Sequence, residues 1–83
     1  MADVTYYVAL PFLQDDSGDV VAGAAEECQS AATALRRAEI LSHVAGHIGA
    51  VAFSRSGDPM MGEFNDAKLL RAYGNVPNDL SGL

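Results

Sequence analysis

Eighty-three residues make one small domain, and a chain of this size buries only about 60% of the surface its unfolded form exposes. Hydrophobic residues make up 49%, too many for a disordered chain, while a lone cysteine excludes an internal disulfide and no Cys/His set has zinc-site spacing. The net charge of −6 gathers in residues 1–30, which hold six acids and no base, so a phosphate backbone is repelled and nucleic-acid binding is not expected.

Val4, Tyr6, Val8, Leu10 and Phe12 alternate with Thr5, Tyr7, Ala9, Pro11 and Leu13, a period of two that predicts a strand over 4–13. Pro11 lacks a ladder donor, which places that end of the strand at an edge or at its finish. Residues 14–19, with Gly18 as the residue for positive φ, supply turn chemistry. Val20 to Ala25 then returns as a partner strand, making a hairpin. Ser30 is a suitable N-cap and Gly46 a suitable C′ residue, which bracket a helix from Ser30 to Ala45. At 100° per residue Ala31, Ala34, Leu35, Ala38, Leu41, Ser42 and Ala45 share one stripe. Its alanines let the helix lie close on a sheet. Arg36, Glu39 and His43 share the opposite side, and Ile40 and Val44 form a second apolar flank.

His47 to Phe53 is apolar on both faces, as a central strand is. Ser54-Arg55-Ser56-Gly57-Asp58-Pro59 reads as the loop that ends it, and 60–66 as a further loop. The stretch 67–73 is ambiguous. Propensity favours a short helix capped by Asn65 and stopped by Gly74, whereas alternation of Leu69, Arg71 and Tyr73 fits a strand.

The run Gly49-Ala50-Val51-Ala52-Phe53-Ser54-Arg55-Ser56-Gly57-Asp58-Pro59, then Gly62-Glu63-Phe64 and Tyr73-Gly74-Asn75-Val76-Pro77, with the opening Tyr7-Val8-Ala9-Leu10-Pro11-Phe12, resembles a group of short uncharacterised bacterial proteins. No activity is assigned to that group. The resemblance implies a strand for 67–73, against local propensity. The expected fold is therefore α+β, in the order β-β-α-β-β, with one helix on a mostly antiparallel four-stranded sheet; the alternative ends in a short helix, ββαβα. Residues 1–83 are expected to form a single domain, with 78–83 frayed.

Candidate chemistry is sparse. Ser54, Arg55, Ser56, Gly57 and Asp58 offer hydroxyls, a guanidinium fork and a flexible backbone, which together suit a phosphate or carboxylate. They lack the Gly-Lys-Ser/Thr of a nucleotide-binding loop, and a turn bonded to itself explains the same residues. His43 and His47 stand four apart with Glu39 upstream, a spacing that can hold a metal on a helix, but Gly46 turns His47 away and no metal or other cofactor is expected. Cys28 stands beside Glu26 and Glu27, which oppose a thiolate. An enzyme would draw on Glu39, His43 or Asp58.

One helix covers only one face of a sheet. Tyr7, Leu13, Ile40 and Val44 are therefore the candidate contact residues on the surfaces left over, since Tyr offers apolar area with a polar tip. The expectation is a small, acidic, non-enzymatic protein acting through protein–protein contact, as a homodimer or with an unidentified protein partner. The opening residues carry Asp3 and no basic start, and no apolar run has spanning length; with the single thiol, this predicts a cytoplasmic protein without membrane contact.

Overall fold

A computed structural model describes residues 3–76; residues 78–83, expected to fray, lie outside them. The elements are β1 (Val4–Gln14), β2 (Val20–Ala22), β3 (Glu26–Cys28), α1 (Ala31–Ser42), β4 (His47–Asp58), β5 (Glu63–Phe64) and β6 (Lys68–Gly74). Every pairing is antiparallel: β1 pairs β4 along its length, β2 and β3 line the other side of β1, and β5 and β6 line the far side of β4. The sheet thus has four strand positions with both edges broken in two. The β-β-α-β-β order holds, with α1 as its one helix, and 68–74 is a strand.

The hairpin forms for the expected reason, and backbone bonds between Asp15 and Asp19 and from Gly18 to Asp15 close its turn together with the Asp15 side chain. Asp15 Oδ1 accepts the backbone N–H groups of Ser17 and Asp19, each at 2.9 Å, and Gly18 takes φ +85°. The effect of Pro11 differs from expectation. Strand β1 continues through it to Gln14, and the partner strand breaks instead, between Ala22 and Glu26. The Pro11 carbonyl accepts Gly23 N–H at 2.8 Å, so the absent proline donor faces the gap between β2 and β3. A missing N–H is tolerated where no acceptor stands opposite it.

Ser30 caps α1, accepting Thr33 N–H at 3.2 Å. The helix stops at Ser42, three residues before the expected end. Leu41 O is shared by Val44 N–H at 3.2 Å and by the His47 ring, whose Nδ1–H donates at 2.8 Å. That carbonyl is thereby satisfied without another α-helical turn, and Gly46 at φ +91° turns the chain into β4.

Strand β4 extends five residues beyond Phe53, so the polar segment read as a loop is ladder. Ser54, Arg55, Ser56 and Gly57 pair with Tyr7, Tyr6, Thr5 and Val4, and Thr5 Oγ1 and Ser56 Oγ share a hydrogen bond of 2.8 Å. The turn begins only at Asp58, whose carboxylate accepts Met60 N–H at 2.9 Å. Where the edge segments pass over β4, the chain needs glycine. A Cβ on Gly49 would collide with Asn75 O and sit 2.7 Å from Tyr73 O, and one on Gly57 would collide with Glu63 O and sit 2.6 Å from the Phe64 Cα.

The core has two parts, one on each side of the sheet. Beneath the helix, Ala34, Ala38 and Leu41 meet Ala9, Cys28, Ala50 and Ala52, with Tyr7, Leu35, Leu70 and Tyr73 at the margin. On the other side Leu10, Phe12 and Val51 are buried among Ile48, Phe53 and Val76. Arg37 on the helix clamps Glu26 of β3, Nε to Oε1 at 3.0 Å and Nη2 to Oε2 at 2.9 Å. Among the described residues no helix is long and apolar enough to cross a membrane.

Alanine at 38 sets how closely the helix lies on β1 and β4. Ala38→Leu forces an overpacked contact and is expected to cost about 1–3 kcal/mol in urea unfolding. Ala32→Leu on the exposed side of the same helix is expected to leave the transition within about 0.5 kcal/mol; equal losses from both would show that the close approach is not limiting.

Candidate functional site

Alternation along the paired strands decides which side chains meet. On β1, Tyr7 and Ala9 face the helix, so Tyr6, Val8, Leu10 and Phe12 face away. Tyr6 lies opposite Arg55, Val8 opposite Phe53, and Val8 on its other side opposite Glu27. With Ala25 and Phe64, these side chains line a cavity of about 450 Å³ on the side of the sheet away from α1. The Tyr6 and Phe64 rings pack at 5.9 Å between centroids with planes tilted by 49°. The cavity has an aromatic and aliphatic floor with one cation and one anion at its sides.

Arg55 is the unusual member. Its Nε is buried and finds no acceptor among the described residues. It forms no ion pair with Glu27, the one ion pair among the described residues being Arg37 with Glu26. A buried donor without an acceptor costs about 1–3 kcal/mol.

The strand divides the five residues expected to form an anion loop. Arg55 and Gly57 point to the aromatic side, while Ser54, Ser56 and Asp58 alternate to the other. Asp58 lines a separate cavity of about 300 Å³ beside Asp3 and Glu63, where three carboxylates repel anions. The proposed catalytic residues do not share a pocket: Asp58 borders that cavity, whereas Glu39 and His43 stand exposed near the end of the helix. No group of three or more His, Cys, Asp or Glu among the described residues is placed to hold a metal.

The expected contact residues also separate. Ile40 and Val44 are 47% and 42% exposed on the outer flank of the helical segment, as their spacing implied. Tyr7, expected on the far face, packs instead against the cluster under the helix, and Leu13 shares its parity on β1. The aromatic side is made by Tyr6, Val8, Phe53 and Phe64, which sequence reasoning did not select. The signal was present in the alternation of β1; what it lacked was the helix as a reference for which parity faces in.

Cys28 is buried, with Sγ directed to Glu26 O at 3.7 Å. Burial foremost, and then the charge of Glu26, raise its pKa above the ordinary thiol value. The thiolate is disfavoured in the fold, which opposes its use as a nucleophile. Set against protein-family models, curated proteins and solved structures, the chain matches none of them.

Because its folded-state pKa is raised, Cys28 contributes stability that is complete below the unfolded thiol pKa and is lost as pH rises above it. Alkylation by iodoacetamide at neutral pH is accordingly expected to be slower than about one-tenth of the rate in urea-unfolded chain. Equal rates in the two states would show an open thiol.

Proposed function

We propose that this protein acts by self-association, as a homodimer joined through the sheet face that α1 leaves uncovered. The observation that supports it is the cavity floor of Tyr6, Val8, Phe53 and Phe64, facing away from α1 with no described layer laid over it. Apolar aromatic surface of this kind is what interfaces use at their centres. A domain of this length draws only about 3–5 kcal/mol from a single core, and with one cysteine ruling out an internal disulfide, self-association is one way to add to it. The function is contact rather than catalysis, with a further protein partner recruited by the assembled dimer. A buried unpaired thiol suits a reducing compartment, which supports the cytoplasm as its location.

A second reading is favoured by the unpartnered Arg55 Nε: a binding module for a small organic anion. The site then moves from a loop over 54–58 to the aromatic cavity, and Glu27 at its side weighs against multiply charged anions. That reading expects benzoate, and not phosphate, to shift the amide resonances of Tyr6, Phe53 and Arg55; a silent benzoate titration removes it.

For the homodimer, size-exclusion chromatography with light scattering is expected to return twice the chain mass across the micromolar range. Phe64 is 43% exposed, so Phe64→Glu is expected to yield monomer while leaving the far-ultraviolet circular dichroism of the fold unchanged. A wild-type chain that stays monomeric at high micromolar concentration overturns the reading.

A further inference from the structure

We infer that the two copies meet with their charges exchanged, Arg55 of each pairing with the partner's Glu27 across a two-fold axis. This rests on the homodimer reading and adds its register and its source of specificity.

Both residues border one apolar cavity, and neither forms an ion pair among the described residues. They stand on strands separated by β1: Glu27 is level with Val8, and Arg55 with Tyr6 one step along the same face. A two-fold interface brings the same patch against itself, so that residue i of one copy meets residue j of the other and j meets i. A patch with a cation on one side and an anion on the other is self-complementary under that operation. Two equivalent ion pairs then form at once, flanking the aromatic centre.

The energetics select the partner's carboxylate over solvent. The Arg55 Nε is already buried and unsatisfied, so part of the desolvation is spent in the protomer and does not recur on association. Carboxylate is the acceptor that matches a guanidinium fork, with two parallel bonds. Once the second aromatic floor closes over the site, water is excluded and each pair acts in a lower dielectric. Like-charged faces, by contrast, are penalised by several kcal/mol, which fixes the relative orientation of the copies. With the chain at −6 overall, local opposite charges are needed where two such molecules touch.

Charge reversal and mixing test the pairing. Arg55→Glu and Glu27→Arg, each alone, place like charges across the axis and are expected to raise the dimer dissociation constant on the order of tenfold or more. Mixed in equal amounts, the two variants pair Glu with Arg at both positions and are expected to form a heterodimer, read by native mass spectrometry with one variant mass-tagged. Circular dichroism establishes that each variant is folded. Should Arg55→Glu unfold, the neutral variants Arg55→Gln and Glu27→Gln and their double variant take its place, the double being expected to dimerise no worse than the weaker single; additive losses overturn the pairing.

A wild-type dimer whose affinity is unmoved by either reversal overturns the exchange and leaves self-association standing. Monomeric single variants that fail to combine on mixing do the same. A wild-type chain that is monomeric, with the Arg55 and Phe53 resonances shifting on added benzoate, overturns both and assigns the cavity to a small carboxylate.

Discussion

Ten residue pairs, from Val4 opposite Gly57 to Leu13 opposite His47, tie β1 to β4 and determine what every other element can do. Both strands are central, so each presents one row to the helix and one row to the far side. A slip of one residue would exchange those rows and carry Tyr6 and Arg55 beneath α1. The register is held because the row under the helix is small. Ala9, Ala50 and Ala52 have no exposed surface, and the helix answers them with Ala34 and Ala38. Tyr or Phe in those places would lift the helix away. The bulge in the ladder between Phe12 and Leu13 lies beyond this contact and does not disturb it.

Part of this arrangement was legible in the chain. Ser30 as a cap, the alanine stripe and the doubly apolar stretch after His47 are local signals, and each corresponds to a feature of the fold. The segment 54–58 was not legible as strand because its residues are polar and short-range patterns assign such residues to loops. Its pairing with Val4–Tyr7 is a long-range fact, and the cross-strand Thr5–Ser56 bond shows that the polar groups are matched to each other. Pro11 illustrates the same limit. Its chemistry was read correctly as a missing donor, but the ladder accommodated it by interrupting the neighbouring strand. For 68–74, tertiary pairing with β4 overrode helical propensity, as β context commonly does.

The edges bear on how two copies would meet. Strands β2, β3 and β5 are two or three residues long, and charged residues punctuate the borders at Glu26, Glu27, Glu63 and Lys68. Short, broken and charged edges oppose strand addition from another chain. Association through an extended sheet is therefore disfavoured by the same features that close the hairpins. The aromatic side carries no such device, which is why the proposed dimer is drawn through the face and not through the rim.

The distribution of side-chain size gives this its physical basis. The middle of the helix contact is made from alanine, which brings the layers close but removes little apolar area from water per residue, while Leu41, Leu35, Tyr7, Leu70 and Tyr73 close its margins. Several large side chains, Leu10, Phe12, Val51, Phe53, Tyr6 and Phe64, lie on the opposite side, packed among the described residues against one another and Val76. In a two-layer domain of average design the bulky residues fill the space between the layers. Here bulky residues lie on both sides of the sheet, and Arg55, whose Nε finds no acceptor among the described residues, stands on the outer one. In the proposed homodimer this outer side of the sheet lies at the centre, with the helices turned outward on both surfaces.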